Sequence, residues 1–114
     1  MHEAVTAIAH AGVSPLVRIA ANEAWMVKRA LDAGAHGVVV PLIYTVDDAK
    51  RLVSSTKFPP RGTRGFGSPL SVQCFNNESM TYYLQHANEL RVPPPFHGTK
   101  CGRWAFSLTS TLVR

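Results

Sequence analysis

Two stretches, Ala11-Gly12-Val13-Ser14-Pro15-Leu16-Val17 and Ala33-Gly34-Ala35-His36-Gly37-Val38-Val39, decide how this chain is read. Each has an Ala-Gly pair, a short link, and then an apolar run with β-branched residues. Glycine after a helical pattern supplies the left-handed stop at a helix end, and a short β-branched run after it reads as a strand. The same helix-end, link and strand order twice in succession is the mark of consecutive β/α units. It predicts an α/β protein with a parallel sheet.

Working outward, Ala4, Val5, Ile8 and Ala11 fall at helical spacing before the first stop. Pro15 to Ile19 is the first predicted strand. Asn22 is the expected cap of a second helix, with Ala24, Val27, Ala30 and Leu31 on its apolar face and Lys28 and Arg29 turned outward. Gly37 to Ile43 is the second predicted strand; it lacks polar alternation, so both of its faces should be covered. Thr45 and Asp48 form a capping box ahead of Ala49, Leu52 and Val53. Phe58 to Pro69 is a loop on composition, and Ser79 to Glu89 a further helix with Met80, Tyr83, Leu84 and Ala87 on one side. After Leu90 the pattern stops, because Pro93, Pro94 and Pro95 fit neither a helix interior nor a central strand. The expected organisation is one α/β unit over residues 1–90 and an irregular, poorly ordered tail over residues 91–114.

Composition narrows the function classes. The chain has 114 residues and 46% hydrophobic content, enough for one modest core. No apolar run approaches the roughly 20 residues of a membrane span, and Met1-His2-Glu3-Ala4-Val5 does not open a secretory signal. Cys74 and Cys101 have no metal-type spacing and form no disulfide framework, so a reducing, cytoplasmic setting is expected. The net charge of +5 is spread over Lys28-Arg29, Lys50-Arg51, Arg61, Arg64, Arg91, Lys100 and Arg103. Dispersed charge is helix surface rather than a nucleic-acid footprint.

Few residues are placed for chemistry, which in a β/α barrel sits at the carboxyl ends of the strands. Arg18 lies there, flanked by Val17 and Ile19. A guanidinium in an apolar strand needs a partner. That partner is either an anionic substrate gripped through two parallel hydrogen bonds or a structural carboxylate nearby; spacing does not decide. His36 precedes its strand and so falls at the opposite end, while His2, His10, His86 and His97 lie on helices or in the tail. All five are assigned surface or packing roles. Arg61-Gly62-Thr63-Arg64-Gly65-Phe66-Gly67 is read as a tight turn with outward arginines; its alternative is an anion cradle, and it lacks the phosphate-loop arrangement. Asp47 and Asp48 open a helix, Asp32 closes one, and Glu3, Glu23, Glu78 and Glu89 lie on or beside helices. None is placed as a ligand for Mg²⁺ or Mn²⁺.

Several segments resemble the HpcH/HpaI aldolase family: Ser14 to Ile19, Asn22 to Gly34, Val40-Pro41-Leu42, Asp48-Ala49, Phe58 to Gly65, and Tyr83-Leu84-Gln85-His86-Ala87-Asn88. The resemblance spans residues 1–90 in order. It implies a partial (β/α)₈ barrel from a family usually assembled as hexamers. Such enzymes make or cleave a carbon–carbon bond next to a pyruvate enolate, with a divalent metal, Mg²⁺ or Mn²⁺, as Lewis acid. It also implies that Arg18, matching the arginine of the family's P-L-V-R strand, is catalytic and steadies developing negative charge. A small 2-oxo acid is the implied substrate, and a homo-oligomer the implied assembly of the full-length family.

Three family features are not matched. The base histidine of an E-H-G or E-H-A segment has no counterpart, since His2-Glu3 reverses the order. Leu90-Arg91-Val92-Pro93-Pro94-Pro95 stands where a Q-I-E-T-like strand carries the metal glutamate. No G-P-x-D-like segment follows with the metal aspartate. The expectation is therefore a truncated or misassembled gene product, inactive alone and prone to aggregate through its open parallel strands. The alternative is a non-enzymatic α/β module that co-assembles with a full-length homologue or binds a small anion.

Overall fold

The computed structural model describes residues 1–74 and 79–89. The expected boundary at residue 90, the tail 91–114, and Glu78, Cys101 and His97 lie outside the described residues. The order is α1 (His2–His10), β1 (Leu16–Arg18), α2 (Ala24–Asp32), β2 (Gly37–Val39), α3 (Val46–Thr56), α4 (Leu70–Gln73) and α5 (Met80–Glu89). β1 and β2 are parallel, with Leu16 opposite Gly37, Val17 opposite Val38 and Arg18 opposite Val39. With α2 between them they form the β/α/β unit expected of an α/β chain.

The repeated Ala-Gly stops have a shared structural cause. At the end of α1, the Gly12 amide donates to the Ala9 carbonyl at 3.0 Å and the Val13 amide to the Ile8 carbonyl at 3.3 Å. At the end of α2, the Gly34 amide donates to Leu31 at 3.0 Å and the Ala35 amide to Ala30 at 3.3 Å. Both are Schellman motifs, which satisfy the last carbonyls only if the residue after the cap has positive φ. Gly12 has φ 74° and Gly34 has φ 97°, a region open to glycine without a Cβ penalty.

The core gathers on one side of the sheet. Ile19, Val27 and Ala30 are buried, and Val17, Met26, Leu31, Val38, Val40 and Leu52 pack around them. Burying Val27 completely contributes about 1.5–3 kcal/mol. Because strand side chains alternate between faces, Val17 and Val38 turn toward α2 while Leu16 and Val39 start from the opposite face; Arg18, at the end of β1, lines a depression shared with α2.

Several local expectations are corrected. β2 ends at Val39 rather than Ile43, and Val39 is 47% exposed, so its second face is not covered by described residues. Past it, Leu42 turns the chain with φ 59°. β1 is likewise shorter than Pro15 to Ile19. Glu23, not Asn22, is the cap residue of α2, and Ala24 is exposed. Asn22 instead donates from its side-chain amide to the Asp48 carbonyl at 3.0 Å, tying the loop after β1 to the first turn of α3. On α1 only Val5 is buried, and Ile8 is 41% exposed. α4 was not expected. The capping box of α3 is formed as expected: the Asp48 amide donates to the Thr45 hydroxyl and the Thr45 amide to the Asp48 carboxylate, both at 3.1 Å.

Candidate functional site

Arg18 is the last residue of β1 and is exposed at the carboxyl end of the sheet. Among the described residues it has no hydrogen-bond or ion-pair partner, so none of them makes the structural ion pair left open by its sequence position. Val39 stands opposite it on β2, and the Ile19 amide donates to the Val39 carbonyl at 3.0 Å, locking the two strand ends side by side. Arg18 lines an open, mostly apolar depression of about 280 Å³ between β1 and α2, together with Val17, Ile19, Trp25, Met26 and a second cation, Arg29. Chemically this end offers a guanidinium free to grip a carboxylate or an oxyanion, set beside apolar surface.

The loop after α3 is built differently from its sequence reading. Arg64 is not outward: it is only 5% exposed. Its Nη2 donates to Asp32 Oδ1 at 3.1 Å and to the Tyr83 hydroxyl at 3.3 Å. Its guanidinium lies 4.5 Å from the Phe58 ring centroid. Lys28, expected to be a free surface cation, also pairs with Asp32. This cluster sits at the end of α2 from which the chain enters β2, opposite the strand mouth, so Arg64 cannot share a ligand with Arg18.

Arg61 is exposed but engaged, donating from Nη1 to the Asn88 carbonyl at 2.8 Å. Lys57 Nζ donates to the Ala87 carbonyl at 2.8 Å, and the Phe58 amide to Asn88 Oδ1 at 2.8 Å. Two cations thus meet the last carbonyls of α5, where the helix dipole is negative. Burial, and secondarily the charge of Arg61, hold the Lys57 ammonium below the usual lysine range. Both guanidinia of this loop thus make internal bonds, Arg64 through Nη2 and Arg61 through Nη1.

Gly62 is what lets the loop lie this close. A Cβ there would stand 2.3 Å from the Ser54 carbonyl oxygen and 2.5 Å from that of Lys57. Those carbonyls accept from the Thr63 amide at 2.8 Å and the Arg64 amide at 2.9 Å. They belong to the end of α3, which has no glycine stop of its own.

His36 is buried, as a packing role requires, with Nε2 3.1 Å from the Cys74 carbonyl. Desolvation lowers its pKa from the ordinary histidine value, against the opposing pull of that carbonyl. Cys74 is buried with a free thiol, and burial pushes its pKa up despite a hydrogen bond with Thr6.

A divalent cation does not fit the described residues. No group of three or more His, Cys, Asp or Glu side chains gathers among them. Asp32 is committed to Arg64 and Lys28, Asp48 to Thr45 and Arg51, and Asp47 to Lys50. No helix among the described residues is long and apolar enough to cross a membrane. The working contacts of Asp32, Tyr83, Asn22 and Asn88 were missed in sequence, although Asn22 and Asp32 fall in the Asn22 to Gly34 segment and Tyr83 and Asn88 bound the Tyr83–Asn88 motif.

The chain resembles known proteins in sequence and in fold. The family described as HpcH/HpaI aldolase/citrate lyase matches residues 1–93. A 2-dehydro-3,6-dideoxy-6-sulfogluconate aldolase of Pseudomonas putida is 47% identical over 54% of this chain and 24% of its own length. A hydroxypyruvate/pyruvate aldolase of Cupriavidus necator is 40% identical over 75% of this chain and 32% of its own. The crystal structure of an HpcH/HpaI aldolase/citrate lyase family protein from Burkholderia cenocepacia superposes with a TM-score of 0.61 at 39% identity, covering 78% of this chain and 38% of that one. The chain therefore spans between a quarter and two-fifths of the length of these relatives. The match over most of the sequence, at 39–40% identity in two of these relatives and with the same fold, places the chain in the HpcH/HpaI aldolase/citrate lyase family.

Proposed function

We propose that residues 1–90 are a section of a (β/α)₈ barrel and supply the 2-oxo acid grip of a carbon–carbon lyase of the pyruvate aldolase type. The observation that carries this reading is Arg18, exposed at a strand's carboxyl end with no described partner. A guanidinium there binds the acid's carboxylate and stabilises negative charge developing on the enolate oxygen. The aldolase names of the relatives support the reaction class. When bound in a complete enzyme, a divalent metal supplies Lewis-acid polarisation of the substrate carbonyl. The described residues do not fit such an ion. We therefore assign its ligands to barrel strands other than β1 and β2, and expect the 114-residue chain to bind the acid without turning it over.

Two measurements test this. Titration of the ¹⁵N-labelled chain with pyruvate should shift amides around Arg18 and Val39, and Arg18→Ala should remove the shifts. An assay with pyruvate, an aldehyde and Mn²⁺ should give no turnover. Absent shifts, or shifts that survive Arg18→Ala, would refute the assignment of Arg18; turnover would refute the division of labour.

A further inference from the structure

We propose that Arg29 is a specificity-determining residue of this site: it takes a second acid group, carboxylate or sulfonate, at the far end of a 2-oxo acid whose own carboxylate meets Arg18. The inference rests on the reading of Arg18 given above and adds the substrate class. Both arginines line the depression between β1 and α2, Arg18 from the strand and Arg29 from the helix. Both are exposed, and neither makes an ion pair among the described residues. Asp32, the acid nearest to Arg29 in sequence, is held by Lys28 and Arg64. Arg29 therefore keeps its charge and its donors for an anion from solution.

The lining suits a short chain with an acid at each end. Trp25 and Arg29 are four residues apart on one side of α2, and Met26 and Ala30 form the row beside them, each row one turn or about 6 Å long. Apart from the two arginines the lining side chains are apolar, so acid groups find charged side-chain partners only at the guanidinia. The carbons joining those acid groups cover apolar surface. Because the depression is open, hydroxyls on the outward side of such a chain keep their water and cost nothing in lost hydrogen bonds. A volume of about 280 Å³ fits a small metabolite rather than a polymer. Were Arg29 only a solvated helix cation, it would act through the overall charge of +5, which any other surface cation shares. Position separates the two cases.

The size of the effect follows from exposure. An exposed ion pair contributes up to about a fivefold gain in affinity, and two parallel hydrogen bonds to one guanidinium put this pair at the upper end. The test titrates the full chain at low salt with pyruvate, with 2-oxoglutarate against 2-oxopentanoate, and with 2-oxoadipate against 2-oxohexanoate. Each pair shares one chain length and differs by the second acid group. The better diacid should bind about fivefold more tightly than its monoacid partner. Arg29→Gln keeps the helix propensity, drops the charge and strands no partner, and should bring that ratio below about twofold. Lys50→Gln removes the same charge from α3, outside the depression, and should leave the ratio unchanged. Absent pyruvate binding, or pyruvate binding undiminished by Arg18→Ala, overturns the reading of Arg18 and this inference with it. Three results overturn the role of Arg29 alone while pyruvate binding still depends on Arg18. They are equal affinities within both pairs, a ratio unchanged by Arg29→Gln, and a ratio lowered as much by Lys50→Gln.

Discussion

Arg64→Ala is the substitution whose cost the structure specifies best. Its guanidinium makes a charge-assisted hydrogen bond to Asp32 at 3.1 Å, worth about 1.5–3 kcal/mol. It also stacks 4.5 Å from the Phe58 ring centroid, worth about 0.5–2 kcal/mol. Breaking a fully buried ion pair costs about 3–5 kcal/mol because a charge is stranded. Here the cost is smaller, since the Asp32 side chain is 15% exposed and keeps Lys28 as a partner. An expected destabilisation of about 3 kcal/mol follows. Arg64→Lys keeps the charge but loses the planar stack and the Nη2 that reaches both Asp32 and Tyr83, so it should cost about half as much. Urea unfolding at micromolar concentration, followed by far-UV circular dichroism, gives the ranking. Hydrogen exchange should also quicken in the 57–64 loop, which Arg64 holds against α2 and α5. A loss under about 0.5 kcal/mol for Arg64→Ala, or a Lys variant equal to wild type, would refute the claim that this buried cation ties the helices together.

Three further outcomes are expected. Gly62→Ala should displace the loop from the end of α3 and break the Thr63 and Arg64 amide bonds, costing about 2–3 kcal/mol for the two; an unchanged urea midpoint would contradict the packing. Thr45→Ala should cost about 1 kcal/mol through loss of the cap on α3, and should raise the Asp48 pKa, which the Thr45 hydroxyl chiefly holds down, as read by carboxyl-carbon NMR. His36 has a folded-state pKa below its unfolded value of 6.5, so the unfolded chain takes up the proton first. Stability should therefore be full above that value and decline as pH falls below it, levelling once the folded histidine also protonates. His36→Gln, which keeps a donor for the Cys74 carbonyl, should remove this slope; a slope that persists would place its origin elsewhere.

Parts of the fold were legible because their causes are local. Each Schellman end joins residues at most five apart around a single glycine, so Gly12 and Gly34 could be read as stops before any packing was known. The Thr45 box is closed within three residues, and the burial of Val27 and Ala30 follows from the helical period. Arg18 was legible as a candidate because a cation inside an apolar strand is an anomaly in one dimension.

The sequence by itself thus determined the β/α order, the helix ends and the position of Arg18 along its strand. Tertiary structure alone decided the fates of two arginines three positions apart. Arg61 reaches α5 from the surface, while Arg64 turns inward to Asp32, Tyr83 and Phe58. Nothing in their identical chemistry separates them; the difference arises because Gly62 permits a close approach to α3 that aims Arg64 at an acid 32 residues earlier. The length of β2 and the exposure of Val39 were also tertiary matters. An apolar run states only that cover is sought, whereas cover is given by whichever elements pack on each face. Here α2 takes one face, and Val39 stands on the other.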